Sequence, residues 1–130
     1  MRRTTPPNPT DAELAILRVL WTHGPSTVKA VHEAMGQATG YTTVLKMLQI
    51  MADKGLVRRD ESERAHVYEA TASEENTQRR LLDELVDRAF GGSARQLVLR
   101  ALDARGASAE ELDEINTLLN KLEGGPDEPA

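Results

Sequence analysis

The stretch from Gly40 to Val57, GYTTVLKMLQIMADKGLV, constrains the fold more than any other part of the chain. Its apolar residues recur every three or four positions, which predicts a helix from about Thr42 to Lys54 that Gly55 ends. One side of this helix is apolar and is predicted to be core: Val44, Leu48 and Met51. The opposite side is polar and carries Thr42, Lys46, Gln49 and Asp53, with Thr43 near its boundary. Packing does not require these polar groups, which raises the question of what they contact.

Helical and strand-like segments surround this helix in a fixed order. Thr10 and Glu13 have the spacing of a capping box and predict a first helix, which Gly24 and Pro25 end. A second helix is expected from about Ser26 to Met35. After the third helix, the segments LVRRD and AHVYEA predict two short strands joined by the turn ESER. Three short helices closed by a two-stranded hairpin are typical of a winged helix-turn-helix.

The rest of the chain is predicted to be helical. Three amphipathic segments follow one another from Ser73, and the last begins with a capping box of Ser108 and Glu111. Its large apolar residues alternate at steps of three and four, which predicts a heptad-like seam. The residues predicted to support dimerisation are Leu82, Leu85, Leu97, Leu102, Leu112, Ile115, Leu119 and Leu122. The predicted fold class is mainly α with a small β-hairpin, a winged helix-turn-helix followed by a helical dimerisation domain.

Composition and charge divide the chain further. Residues 1–10 contain three prolines and are predicted to be a flexible arm, and residues 124–130 a disordered tail. Residues 11–72 form the predicted winged-helix domain, and residues 73–123 the dimerisation domain. The net charge is −5, of which the first 72 residues contribute +1 and the remainder −6. The acid is therefore concentrated in the C-terminal half, which leaves room for a basic patch in the first.

Several classes of protein are excluded by what the sequence lacks. It has no cysteine, which rules out disulfides, thiolate metal sites and cysteine nucleophiles. No apolar run is long enough to span a membrane, and no signal peptide is recognisable, so a soluble cytoplasmic protein is expected. His23, His32 and His66 fall on different elements without the spacing of a metal site. No nucleotide-binding or nucleophile motif is present, so neither an enzyme nor a cofactor is expected.

The polar face of the third helix is suited to contact DNA. It begins at the N-terminal end of the helix, which in a helix-turn-helix reaches base edges in the major groove. Lys can donate to guanine and Gln can pair with adenine, whereas Thr can contact phosphate or a thymine methyl group. The hairpin adds Arg58, Arg59, Arg64 and His66. Two alternatives remain: a polar face common to any surface helix, and hairpin arginines that pair with Asp60, Glu61 and Glu63.

Six segments together resemble the penicillinase repressors, the BlaI/MecI/CopY family of bacterial repressors. They are ELAILRVLW, GPSTVKAVHEAM, GYTTVLKMLQIMADKGLVRRD, RAHVYEA, and the C-terminal pair AFGGSARQLVLRAL and SAEELDEINTLL. The resemblance spans about residues 11–122 and implies a dimeric repressor that binds a palindromic operator. By position, it places Thr42, Thr43 and Lys46 on the recognition helix, Arg64 on the wing, and Ser26 and Thr27 near the DNA backbone. The full predicted DNA-binding set is Tyr41, Thr42, Thr43, Lys46, Gln49, Ser26, Thr27, Arg58 and Arg64.

The sequence departs from the family pattern at several positions. Ile50 stands where a basic residue is common, and Lys46 where Thr is frequent. Some members have a membrane sensor-protease as a partner, which cuts an Asn-Phe bond. Arg100 and Ala101 take that place here, which argues against this partner. The absence of cysteine also excludes copper sensing through the cysteine cluster of the copper-responsive branch.

Two functions from other classes compete with a dimeric DNA-binding repressor. One is a winged helix for protein–protein contact that uses its acidic helical half, and the other is a plain dimerisation module. The basic residues Lys46, Lys54, Arg58, Arg59 and Arg64 in one connected region favour DNA.

Overall fold

A computed structural model of the chain describes residues 7–36, 38–62 and 64–123. Most of the predicted N-terminal arm, the whole predicted tail, Gln37 and Glu63 lie outside the described residues. The elements in chain order are α1 (Asp11–His23), β1 (Ser26–Thr27), α2 (Val28–Ala34), α3 (Tyr41–Lys54), β2 (Val57–Asp60), β3 (Val67–Ala70), α4 (Glu74–Ala89), α5 (Ala94–Arg105) and α6 (Ala109–Glu123). The chain divides into two compact units, Met1–Asp83 and Glu84–Ala130.

Helix α1 begins at the predicted capping box. The backbone N–H of Thr10 donates to Glu13 Oε1 over 2.9 Å, and the N–H of Glu13 donates to Thr10 Oγ1 over 3.2 Å. These two bonds satisfy N–H groups that have no partner within the helix. Gly24, with φ of 84°, ends α1 because its N–H donates to Leu20 while the chain turns away.

The sheet corrects the prediction of a two-stranded hairpin, because it has three strands in the order β1-β3-β2. Ser26 pairs with Tyr68 and Thr27 with Val67, antiparallel, so α2 begins at Val28 rather than at Ser26. Thr27 is the N-cap of α2 with φ of −80° and ψ of 167°, an extended conformation that N-cap residues require. Ser26 and the extended cap residue Thr27 therefore lie beside the free edge of β3, and they pair with it.

Helix α3 ends as its sequence predicts. Gly55 adopts a left-handed conformation with φ of 85°, and two bonds close the helix, from Gly55 N–H to Ala52 O and from Leu56 N–H to Met51 O. This is the Schellman pattern, which glycine allows at no steric cost. It turns the chain directly into β2, where Leu56 and Val57 are both buried.

The hydrophobic core of the first unit is almost entirely aliphatic, as the low aromatic content predicts. Ile16, Val31, Val44, Leu48 and Met51 have no exposed surface. The exposed fraction of Tyr68 is 1%, and this residue of β3 is the one buried aromatic among the described residues. The core thus joins α1, α2, α3 and the sheet, and it confirms the predicted buried side of α3.

The first unit extends past the predicted domain boundary at Ala72 and includes the first half of α4. Trp21 Nε1 of α1 donates to Ala72 O over 3.0 Å. Thr77 of α4 is buried, with 5% of its surface exposed. The start of α4 is therefore part of the winged-helix unit rather than of the helical unit that follows.

Within its described residues, 84–123, the second unit has no comparable core. Helices α5 and α6 contain no buried residue. The capping box of Ser108 and Glu111 is present, with bonds of 2.9 and 3.1 Å. A groove of about 360 Å³ between the two helices is lined partly by Leu102 and Ile115. Two helices that bury so little cannot account for their own stability, because folding must offset the entropy of every ordered residue.

Candidate nucleic-acid interface

The outer face of α3 presents a row of polar side chains. Thr42, Thr43, Lys46 and Gln49 are all exposed, whereas Val44, Leu48 and Met51 on the opposite face are fully buried. The core therefore fixes the rotation of the helix about its axis, and the polar row cannot turn inward. Its position at the first turns of the helix is the one that a recognition helix uses.

The N-terminal end of α3 carries its own attraction for anions. Gly40 is the N-cap and supplies no side-chain hydrogen bond. The first backbone N–H groups of a helix have no partner within it, and they coincide with the positive end of the helix dipole. A phosphate group near Thr42 and Thr43 would meet both features.

Tyr41 links α3 to the preceding helix. Its ring meets that of His32 in α2 edge to face, with ring centroids 5.8 Å apart and planes at 83°. Such a pair is a favourable aromatic arrangement. Tyr41 nevertheless remains 48% exposed. Its hydroxyl can therefore reach a partner outside the protein while its ring is held against α2.

The wing, formed by β2, β3 and the turn between them, carries three arginines in different environments. Arg58 pairs with Glu69 at 3.2 Å, and Arg59 pairs with Glu61 at 2.6 Å. A hydrogen bond with the Tyr68 hydroxyl, together with Glu61, raises the pKa of Arg59 above its ordinary value. Arg64 makes no ion pair among the described residues and is exposed. Of the three arginines, Arg64 is therefore the one whose charge is not paired with an acidic side chain of the described residues.

The turn of the wing is organised by Asp60. Its carboxylate accepts the backbone N–H of Ser62 over 2.9 Å. The same bond lowers the pKa of Asp60, because it stabilises the charged form. Asp60 is thus used to hold the turn, so the acidic residues of the wing do not all neutralise its arginines.

A cleft of about 510 Å³ lies between α3 and the wing. It joins residues that the sequence predicted separately, since Tyr41 and Gln49 line it from the helix and Arg64 from the wing. It also brings basic side chains from α2 and the sheet beside them. The lining residues are Thr27, Val28, Lys29, Tyr41, Leu45, Gln49, Arg59, Arg64, Ala65, His66 and Tyr68. The concentration of cationic groups around a cleft of this size is suited to a polyanion.

Two of the predicted backbone contacts differ in their availability. Ser26 is almost fully buried, and its hydroxyl donates to Gly24 O over 2.8 Å, so it is withdrawn from the predicted DNA-binding set. Thr27 lines the cleft, and its Oγ1 accepts the N–H of Ala30 over 3.1 Å. The hydroxyl proton of Thr27 remains available to a phosphate oxygen.

Lys29 was missed by sequence reasoning. It is exposed on α2 and lines the cleft. The available signal was its place directly after Val28, which is buried, and two positions before Val31, which is buried as well. That spacing directs Lys29 away from the core, but only the fold shows that the wing lies beside it.

Other kinds of site receive no support from the described residues. They contain no group of three or more His, Cys, Asp or Glu side chains that could hold a metal ion. None of the helices described is long and apolar enough to cross a lipid bilayer.

A winged-helix unit with an exposed polar helix face and an arginine-bearing wing defines the class of winged-helix transcription regulators. The sequence model of the family described as "Penicillinase repressor" matches residues 9–121, and the chain belongs to that family. The members of this family are transcriptional repressors and not enzymes. The family membership confirms the resemblance drawn from the six sequence segments.

Similar proteins are known from several bacteria. The transcriptional regulator BlaI of Mycobacterium tuberculosis is 33% identical over 118 residues, which cover 88% of this chain and 85% of that protein. The penicillinase repressor of Bacillus licheniformis is 24% identical over 117 residues, which cover 88% of this chain and 91% of that protein. The crystal structure of the transcriptional regulator Tm0710 from Thermotoga maritima matches with a TM-score of 0.50 and 19% identity. The match covers 88% of this chain and 74% of the Tm0710 chain, and it is a similarity of fold.

Proposed function

We propose that this DNA-binding transcriptional repressor acts as a homodimer on a dyad-symmetric operator. In each protomer, α3 enters the major groove with its polar row, and the wing contacts the neighbouring backbone. Base contacts are proposed for Lys46 and Gln49. Tyr41, Thr27 and Arg64 are assigned to phosphate or to groove edges.

The observation that carries this proposal is the cleft between α3 and the wing, together with the exposed row beside it. The row lies on an element whose rotation is fixed by three fully buried residues. The cleft adds Lys29, Arg64 and His66 from two other elements. A helix that contacted nothing would have a polar face, but the fold would have no reason to gather basic residues from α2 and the wing around it.

Dimer formation is supported by the apolar surface of the second unit. Leu112, Leu118, Leu119 and Leu122 of α6 are 43%, 53%, 51% and 67% exposed. Helical spacing places them on one side of α6, with Ile115 between them. A contiguous apolar surface of this kind marks an interface. A second copy of the chain is the simplest partner, since symmetric homodimers are the commonest oligomers.

The set of residues predicted to support dimerisation needs a small revision. Leu82, Leu85, Leu112, Leu119 and Leu122 are exposed as an interface requires. Leu97, Leu102 and Ile115 are half-buried within the chain. The exposed apolar residues Leu118, Val98 and Leu99 were not predicted and join the proposed interface.

The charge distribution supports different roles for residues 1–72, which would bind DNA, and residues 73–130, which would join two copies. Residues 73–130 contain thirteen acidic and seven basic residues, whereas the first 72 residues contain eight and nine. An acidic part is repelled by DNA phosphates, so it can hold two winged helices together without competing for the duplex. Two tethered copies bind their half-sites with a high effective concentration, which compensates for the few basic residues of each.

The test is operator binding by the full chain after genomic footprinting has located its sites. Lys46→Ala should weaken binding by about 1–3 kcal/mol if the ammonium group contacts a base, and by less if it contacts phosphate. Lys121→Ala is the matched control, because Lys121 is exposed on α6 and lies outside the proposed interface with DNA. Equal affinity of Lys46→Ala and the parent across a salt series would contradict the assignment of α3.

A further inference from the structure

Ile50 is an exposed apolar residue on an otherwise polar face. It is 42% exposed, and it is absent from the residues that pack in or against the core. In the described part of the first unit, the other large exposed apolar residues are Tyr41 and Leu82. Tyr41 packs against His32, and Leu82 lies on α4. Ile50 thus has no structural explanation within its own unit.

The position of Ile50 continues the proposed DNA-contacting row. It follows Lys46 by four residues and Thr43 by seven, spacings that place three side chains on neighbouring parts of one helix face. The rise of an α-helix puts Ile50 about 6 Å beyond Lys46 and about 10 Å beyond Thr43. With base pairs about 3.4 Å apart, these distances correspond to about two and three base-pair steps.

The chemistry of the major groove offers an isoleucine one kind of favourable partner. Every other base edge there presents hydrogen-bond donors or acceptors, and an apolar side chain would remove water from them without replacing its hydrogen bonds. Thymine alone presents an apolar group, its C5 methyl. Phosphate oxygens give an isoleucine nothing to bind.

We propose that Ile50 contacts the C5 methyl group of a thymine in each operator half-site and so selects thymine at that position. This inference rests on the proposed function, because it requires α3 to lie in the major groove. It makes Ile50 a specificity-determining residue, in addition to the polar side chains of the row. A protein partner covering Ile50 is the competing explanation.

The experiment removes apolar groups from each side of the contact: the C5 methyl of thymine on the DNA and side-chain carbons of Ile50 on the protein. In the footprinted operator, the thymines of one half-site are replaced one at a time by deoxyuridine, which removes only the C5 methyl. Affinities for thymine and uracil operators are measured with the full chain and its variants Ile50→Ala, Ile50→Val and Lys46→Ala. Thermal unfolding of each variant is recorded, and Ile50→Ala should unfold like the parent because the side chain lies outside the core.

We expect one thymine whose replacement weakens binding of the parent about fourfold, as burial of a methyl group predicts. Ile50→Ala should bind the thymine operator about fourfold more weakly and should not distinguish uracil from thymine. Ile50→Val, which keeps a branched side chain, should keep part of the discrimination. Lys46→Ala should bind both operators more weakly and keep the ratio between them.

Two results would overturn the inference. In the first, no thymine position discriminates, although the parent binds tightly and Lys46→Ala binds weakly, so that only the role of Ile50 fails. In the second, Ile50→Ala keeps the full ratio between the thymine and uracil operators, because it loses the same factor on both or none on either, as a residue covered by a protein partner would. A parent that binds no footprinted site, or for which Lys46→Ala changes nothing, shows instead that the proposed function itself is wrong.

Discussion

Glu13 joins three parts of the first unit through a single carboxylate. Oε1 accepts the N–H of Thr10 in the capping box, and Oε2 accepts Lys54 Nζ of α3 over 2.6 Å. Burial of the carboxylate acts to raise its pKa, but the bonds from Lys54 and Thr10 outweigh it and lower the pKa below the ordinary 4.5. The start of α1 is thereby tied to the end of the proposed recognition helix.

Lys54→Met should destabilise the first unit by about 1–3 kcal/mol, because it leaves a buried charged acceptor without its strongest donor. Denaturant unfolding is the measurement, and Lys121→Met is the matched control at an exposed lysine. An unchanged unfolding midpoint for Lys54→Met would show that the pair contributes nothing.

The difference in stability between the parent and Lys54→Met is also predicted to depend on pH, in a direction set by the pKa of Glu13. The folded pKa of Glu13 is depressed, so its stabilising effect is present above the unfolded value of 4.5 and is lost as pH falls through the folded pKa. The stability difference between the parent and Lys54→Met should therefore be constant near neutrality and shrink below about pH 4.5. A difference that persisted undiminished well below that pH would mean that Glu13 is not its source.

The elements differ in how far local sequence determines them. The capping boxes of α1 and α6, and the glycine that ends α3, depend on residues within four positions of each other, and all three are confirmed. The short strand β1 was missed because its partner, β3, lies some forty residues away in the sequence. The same pairing buries Ser26, so a hydroxyl that suited a phosphate by position is turned inward.

The cleft shows the same limit for the candidate site. The exposure of the α3 row follows from its helical period, and Arg64 from its place in the wing. Lys29 joins them only because β1 holds the start of α2 beside the sheet. Local patterns thus predicted the exposed residues of α3 and of the wing, whereas long-range pairing determines which elements face a common cleft.

The ion pairs of the wing predict a difference between its arginines. Arg58 is already paired with Glu69, whereas Arg64 has no such partner among the described residues. Arg64→Ala should weaken operator binding and reduce the slope of log affinity against log salt by about one, because each phosphate contact releases about one counterion. Arg58→Ala should change that slope less. A larger loss for Arg58→Ala than for Arg64→Ala would reverse the assignment of the wing contact.

At the scale of the whole molecule, stability and DNA binding are both expected to depend on association. Among the residues that the structure describes, the first unit buries eleven apolar side chains, while α5 and α6 bury none. The second unit is therefore expected to acquire its core from a partner protomer, so that folding of this unit and dimerisation are one process.

Leu119→Asp should convert the proposed dimer to a monomer, because a carboxylate in an apolar interface is costly to desolvate. Light scattering measures the mass, and operator titration should show loss of tight binding, since the second half-site is no longer held nearby. Asn120→Asp is the matched control: it introduces the same charge one residue away, on a different side of α6. A Leu119→Asp chain that keeps the parent's mass would exclude α6 as the interface.

Trp21 is an intrinsic fluorescence probe of the winged-helix unit. It is the single tryptophan of the chain, and its indole N–H is bonded to the backbone carbonyl of Ala72 at the junction of β3 and α4. Intrinsic fluorescence excited at the indole band therefore records the winged-helix unit alone, without any attached dye. Circular dichroism weights every helix, including α5 and α6. If the proposed dimer forms, dilution should leave the emission spectrum unchanged while it reduces the helical signal, so two ordinary spectrometers can separate dissociation of that dimer from unfolding of the winged-helix unit.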